Sequence, residues 1–383
     1  MKRKLISALF CFAFAFICAV KLSKSLKWFK SLMITLSVAD DTNFTYAKRN
    51  YRVVHKKIYY FFKGEKIGVK IFRSYSNKKS PAILVAHGLA PDGYDDTRLV
   101  SFAQKLAMTG TTVFLPDFTL MKQIRIKPLT AIKMRFLFNK MRSLKRTDKN
   151  KCSVFAISYA GGPVSLAFSK SPYNKQVSSI YYLGSYFDLK QALLFGLSGR
   201  SYYLKCEVHT IPSVWARWYY LISNLEYVKD KKSRSVLKKI AEIKRIDPFY
   251  NTAKLEKELT GDAAKLLELI KEKDYQKLKK LVENQSIEFR KTLDIMSPKN
   301  CTQGLKEIKI FIIHAAEDPL VSYTESFHFA HALKKAGASP SFILLSSLSH
   351  VNIIKKPFTL MNILKFYLPE IVKMTNIIYT LRG

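Results

Sequence analysis

The sequence predicts an α/β fold: a mostly parallel sheet flanked by helices, with a helical cap inserted between the sixth and seventh strands. Three observations predict it. Short apolar runs alternate with helix-spaced segments from about residue 80 to residue 184, and the alternation resumes after residue 300. Between these parts, residues 187–300 read as helical with no clear strand. Lastly, the run Val154-Phe155-Ala156-Ile157 stops on Ser158 and restarts in the small residues Ala160-Gly161-Gly162, the pattern of a tight strand-to-helix turn that exposes a serine.

The elements follow in chain order. Tyr51–Phe62 and Lys66–Phe72 read as two strands around a turn at Lys63-Gly64. Ala82–Ala86 is a short buried strand. Thr97–Met108 has helical spacing, and Gly110 behind it is a stop signal. Thr111–Leu115 is a strand that ends at Pro116-Asp117, and Leu129–Leu144 is a basic helix. Ser153–Ile157 leads into Ser158, Gly161–Phe168 begins the next helix, and Ser178–Leu183 is the sixth strand. Past the insertion come a strand at Ile308–Ile313, a helix at Glu325–Lys335, a strand at Ser341–Leu345 and a helix from Pro357. The expected organisation is a core of residues 41–186 and 301–383, a cap of residues 187–300, and a separate segment 1–40. No repeat of fixed period is present.

That first segment reads as an address. Lys2-Arg3-Lys4 precedes an apolar run from Leu5 to Val20. As a helix the run would span about 24 Å, a little short of a hydrocarbon core of roughly 30 Å. No good cleavage site follows closely: Ser23-Lys24-Ser25 is poor and Ser37-Val38-Ala39 is distant. Next, Leu22, Leu26, Phe29, Leu32, Met33 and Leu36 fall on one helical face, and Lys21, Lys24, Lys27 and Lys30 on the other. This is the pattern of a helix lying in a headgroup layer. The expectation is an uncleaved membrane anchor, a transmembrane helix, followed by an interfacial helix. Positive charge on both sides leaves its orientation unread.

Charge supports the same reading. The chain carries 65 Lys+Arg against 28 Asp+Glu, a formal net charge of +37. Residues 1–80 hold 18 of the basic residues and 3 of the acidic ones, which favours an anionic membrane surface over nucleic acid. No nucleic-acid-binding motif is present, so no specific nucleic acid is expected. The five cysteines form no CxxC and do not look like a disulfide scaffold. No His/Asp/Glu cluster has metal-ligand spacing, so neither metal nor cofactor is expected.

The chemistry rests on three residues. A serine hydroxyl is a weak nucleophile at neutral pH; it needs a base, and the base needs an orienting acid. Ser158 is the expected nucleophile. Asp318, after the seventh strand in His314-Ala315-Ala316-Glu317-Asp318, is the expected acid, ahead of Glu317 and of Asp188 behind the sixth strand. His350, in the loop after the last strand, is the expected base. Negative charge on the attacked carbonyl oxygen needs fixed donors, and these are expected from the backbone N–H groups of Tyr159 and Leu89. His87, Gly88 and Gly161 are expected to shape the two loops, with His87 structural and not a second base. The aromatic residues Trp215–Tyr220 are expected to roof the serine.

On these residues the chain resembles the bacterial serine hydrolases of the α/β-hydrolase superfamily, over roughly residues 80–184 and 300–370. The resemblance is carried by His87-Gly88, Asp95-Asp96-Thr97-Arg98-Leu99, the turn at Ser158, Gly184-Ser185-Tyr186-Phe187-Asp188, and the Asp318 and His350 segments. It departs at Ala156 and Ala160, where glycines are usual, and in lacking a further glycine after His87-Gly88. It implies the α/β-hydrolase fold and a hydrolytic site, without a known substrate. The expectation is a membrane-associated serine hydrolase cleaving an ester or thioester with an apolar, lipid-like acyl part. A non-catalytic membrane scaffold or binding protein on the same fold is the alternative. Peptide cleavage, acyl transfer, membrane side and oligomeric state stay open.

Overall fold

The structure is a computed structural model that describes residues 22–39, 53–75, 78–354, 356–357 and 359–381. The expected anchor run Leu5–Val20 and the linker 40–50 lie outside these residues. Six strands precede the insertion: β1 (Val53–Phe62), β2 (Glu65–Ser74), β3 (Ser80–Ala86), β4 (Thr112–Pro116), β5 (Thr147–Ile157) and β6 (Ser179–Leu183). The insertion carries the short strands β7 (Arg200–Tyr203) and β8 (Cys206–His209). Beyond it lie β9 (Lys309–Ala315), β10 (Ser341–Leu345), β11 (Leu348–Ser349) and β12 (Asn352–Ile353).

One sheet of eight strands runs in the order β1-β2-β4-β3-β5-β6-β9-β10. The pairs β1/β2 and β2/β4 are antiparallel and the remaining pairs parallel. With helices on both faces and the cap entering between the sixth and seventh strands of the sheet, this is the α/β-hydrolase fold. The chain turns from β1 into β2 through Lys63 (φ 48°) and Gly64 (φ 79°). Two left-handed residues give a loop whose twist matches that of the strands. At the sheet's edge, β1 exposes Lys56 and Lys57, and such charges discourage further strand pairing. Central β3 is buried throughout Ala82–Ala86, because helices cover it on both sides.

The helices that bear on the site are α1 (Leu22–Ala39), α2 (Thr97–Ala107), α3 (Gly161–Phe168), α4 (Leu189–Ser198), α5 (Ala216–Asn224), α6 (Lys231–Ile246), α7 (Tyr323–Lys335) and α8 (Leu368–Leu381). The larger core packs α3, α7 and the cap on one face of the sheet, around Phe138, Phe168 and Tyr182. The smaller one packs α2 and α8 on the other, around Leu99, Phe155, Tyr181 and Ile377.

Two expectations need correction. The insertion is not free of strands: β7 and β8 pair as an antiparallel hairpin, turning at Leu204, which has φ 54°. These strands are short and mostly polar, so no apolar alternation announces them. The second concerns α1, a helix as expected but one that lies on the protein body. Thr375 of α8 donates to Thr35 Oγ1 at 3.2 Å, and Trp28 Nε1–H donates to Asn376 Oδ1 at 3.1 Å. The buried residues include Ser31, Met33, Ile34 and Thr35; of the expected apolar face Met33 is buried, whereas Phe29, Leu32 and Leu36 are half-buried. Small hydroxyl side chains permit close approach. Ser31 and Thr35 donate to the carbonyls of Lys27 and Ser31, each at 3.0 Å, so neither hydroxyl is buried unpaired. Among the described residues, no helix is long and apolar enough to cross a membrane.

Candidate active site

Strand β5 delivers Ser158 in the left-handed conformation, φ 54°. A non-glycine residue held there is strained and persists only where its surroundings over-determine it. Here α3 packs close behind. A Cβ at Gly161 would stand 2.7 Å from the side chain of Ser185, so only glycine fits. The alanines at 156 and 160 are wholly buried, and the fold accommodates their methyls. In front, a Cβ at Gly88 would stand 3.3 Å from Ser158 Cβ, so glycine lets the β3 loop lie against the serine.

That loop is pinned by His87. Its Nδ1–H donates to Gly88 O at 2.8 Å, and its Nε2 accepts from Phe118 N–H at 3.2 Å. Burial pushes its pKa down to about 4, so the ring is neutral, with both nitrogens committed to the backbone. Leu89 N–H meets no acceptor among the described residues. Tyr159 N–H lies in the first turn after the elbow, where amides have no intrahelical partner. Both residues line the cavity that holds Ser158.

The candidate acid and base meet in the structure. Asp318 Oδ2 accepts from His350 Nδ1–H at 2.7 Å. Asp318 Oδ1 accepts the N–H groups of Leu320 and Val321 at 2.9 and 3.0 Å. The carboxylate is 2% exposed. Burial acts to raise its pKa, but the imidazoles of His350 and His314 outweigh burial and hold it well below the usual carboxylate range. With Nδ1 donating, His350 Nε2 carries the lone pair and is free to act as base. Ser158 and His350 line the same cavity and make no hydrogen bond to one another in this structure. Of the other acids considered, Glu317 is exposed. Asp188 caps α4, accepting from Lys190 N–H at 2.9 Å, and pairs with Lys299 at 2.9 Å.

Several supporting residues escaped the sequence reading. His314 is fully buried behind the acid, its Nε2 at 3.4 Å from Asp318 Oδ2 and 2.9 Å from Val321 O, its Nδ1 at 2.6 Å from Ser326 Oγ. Its place at the end of β9, four residues before Asp318, was the available signal. Gly184 closes β6 at φ 59°, and a Cβ there would stand 3.1 Å from His350 Nδ1. His350 occupies the first position of the two-residue turn between β11 and β12, with φ 56°. Arg98 clamps that hairpin to α2, donating to Asn352 Oδ1 at 2.5 Å and to Asp96 Oδ2 at 2.6 Å. The Asp-Asp-x-Arg stretch thus has a physical role. Glu325 of α7 is buried and accepts from Phe187 and Asp188 N–H at 2.9 and 2.7 Å, fixing the entry to the cap. Burial pushes its pKa up to about 7.

The cavity measures about 1020 Å³. Trp215, Tyr219 and Tyr220 line it from the cap side, Met374, Ile377 and Ile378 from α8. Aromatic residues thus line it on the cap side, as expected. Among the described residues, no group of three His, Cys, Asp or Glu is placed to hold a metal ion.

No protein-family model matches the chain, and no curated protein matches its sequence. Solved structures similar to it include acylaminoacyl peptidase from Pyrococcus horikoshii, at 11% identity and a TM-score of 0.48, covering 86% of this chain and 41% of that one. The chain therefore spans about two fifths of that protein's length. Another is the α/β-hydrolase GrgF from Penicillium sp. sh18, at 10% identity and a TM-score of 0.48, covering 86% of this chain and 99% of that one. A 2,6-dihydroxy-pseudo-oxynicotine hydrolase is similar at 11% identity and a TM-score of 0.47, covering 86% and 68%. The strand order, the left-handed serine and the Asp318–His350 pair define an α/β-hydrolase fold with a serine and a histidine at one cavity and an aspartate bonded behind the histidine.

Proposed function

We propose that the protein is a serine hydrolase that cleaves an ester or thioester with an apolar acyl part, acting beside an anionic membrane. One observation carries this reading: the buried 2.7 Å hydrogen bond by which Asp318 holds His350, which lines one cavity together with the strained Ser158. His350 Nε2 takes the Ser158 proton as Oγ attacks the acyl carbon. Charge on the carbonyl oxygen falls to the N–H groups of Tyr159 and Leu89, each such donor being worth about 10²–10³ in rate. His350 then passes the proton to the departing alcohol or thiol, which leaves an acyl-Ser158 ester. Water, deprotonated by the same nitrogen, attacks that ester, releases the acid and returns the proton to Oγ. Membrane proximity is supported by the charge excess of the amino-terminal region and the apolar run Leu5–Val20.

A fluorophosphonate probe tests the site. The wild-type protein is expected to be labelled and Ser158→Ala not. Failure to label the folded wild type would overturn the hydrolase reading and leave a binding protein on a hydrolase fold. Esters of graded chain length then report the acyl preference, with kcat/KM rising toward long chains.

A further inference from the structure

The Ser158 cavity opens to solvent between the cap, α2 and the hairpin that carries His350. Five residues both line it and stand exposed: Arg98 from α2, Trp215 and Arg245 from the cap, and Asn352 and Ile353 from the hairpin that carries His350. They mark the mouth. The chain beside them presents large apolar side chains to water. Directly after Arg245, Ile246 is 76% exposed and Phe249 80%. A turn holds them out, in which Phe249 N–H donates to Asp247 Oδ1 at 2.9 Å. After Ile353, Leu360 is 73% exposed and Leu364 56%, one helical turn apart and so on one face. Their segment is tied back by the Tyr367 hydroxyl, which donates to Lys356 O at 2.6 Å. Such side chains are normally buried; next in sequence to residues of a cavity mouth, they mark a contact surface.

Charge selects what that surface meets. From Val351 to Pro369 the chain has three lysines and no acidic residue, and Arg245 stands at the mouth itself. Apolar side chains that can enter an acyl boundary, rimmed by cations that meet phosphates, are complementary to an anionic bilayer.

We infer that this rim seats on anionic lipid, so that a lipid-borne ester passes from the bilayer through the mouth to Ser158 without crossing water. The docking half stands on the surface alone; the delivery half rests on the hydrolase reading. The run Leu5–Val20 is itself expected to bind membrane, so total vesicle binding does not report on the rim, and local readouts are needed.

The full-length protein is mixed with vesicles of phosphatidylcholine and phosphatidylglycerol. In the first arm, Ile246→Ser/Phe249→Ser and Leu360→Ser/Leu364→Ser are compared with wild type on a vesicle-embedded long-chain ester and on a water-soluble short-chain ester. The vesicle-borne rate is expected to fall about tenfold or more while the soluble rate holds. Both rates unchanged, or both falling together, would overturn the inference. The second arm needs no catalysis: brominated lipids should quench tryptophan fluorescence in wild type, and a part of that quenching should vanish in Trp215→Phe. Equal quenching in the two proteins overturns docking even if Ser158 is active. Quenching that meets the expectation while no ester is cleaved retires the hydrolase reading and leaves the surface standing. A dimer in sedimentation that the serine variants dissolve would assign the rim to a second copy of the chain and overturn the inference.

Discussion

At the scale of single residues, the site depends on what each polar atom is committed to. Asp318 spends one oxygen on two backbone N–H groups and the other on His350. Asp318→Asn keeps the size, but its amide can leave His350 in the wrong tautomer, with Nε2 protonated. Loss of about 10⁴ in kcat is expected from ester hydrolysis, with the fold intact by circular dichroism. A loss below tenfold would show that His350 is not the base. His314 acts one step back. Its N–H, 3.4 Å from Asp318 Oδ2, draws on the same charge that steadies the His350 cation. In His314→Leu that donor is lost and Asp318 is held less firmly, so kcat for ester hydrolysis is expected to fall about tenfold with KM little changed. A purely structural role would lower the melting temperature and leave kcat in place.

Among the elements, the β11–β12 hairpin carries the base and α2 holds it still. Arg98 spans Asp96 and Asn352 with two donors of its planar fork. Lysine offers a point charge and cannot reproduce both contacts. Arg98→Ala is expected to lower kcat about tenfold through misplacement of His350, and Arg98→Lys to restore little of it. Asn352→Ala should cost the same, and the double variant no more than either single one, as for two ends of one contact. Additive losses would refute the clamp. Elements of this kind also show what was legible in the sequence. β3, β5, β6 and β9 are covered on both faces, so they read as apolar runs, and Ser158, Asp318 and His350 could be placed by the strands they follow. The cap hairpin Arg200–His209 lies outside the main sheet with much of its surface in water, so no periodicity betrays it. The buried face of α1 joins Met33 and Ile34 to the hydroxyls of Ser31 and Thr35, which bond to their own helix, a pairing that a helical wheel of apolar residues does not register. The partners of Arg98, Glu325 and His314 depend on contacts between distant segments, and chain order alone does not supply those.

For the molecule as a whole, two buried groups outside the triad set opposing slopes of stability with pH. Glu325 joins the cap entry to α7, and its pKa rises from 4.5 to about 7 in the folded protein through burial. Between those values the folded state holds the proton that the unfolded chain has lost. Stability from this group therefore falls as pH rises through the window. His87 joins the β3 loop to Phe118, and burial lowers its pKa from 6.5 to about 4. In its window the unfolded chain binds the extra proton, so this contribution is full above 6.5 and is lost as pH falls toward 4. From about pH 4.5 to 6.5 the two slopes oppose each other and nearly cancel. Glu325→Gln keeps an acceptor for the N–H groups of Phe187 and Asp188 while removing the titration. At pH 7 the variant is expected to be the more stable protein, by about 3 kcal/mol at 1.36 kcal/mol per pKa unit. The two proteins should converge as pH falls to about 4.5, and the variant alone should show the His87 slope in between. Urea midpoints measured across this range check all three points. A difference between the proteins that does not vary with pH would mean that Glu325 is ionised throughout, paired more strongly than its two backbone donors imply.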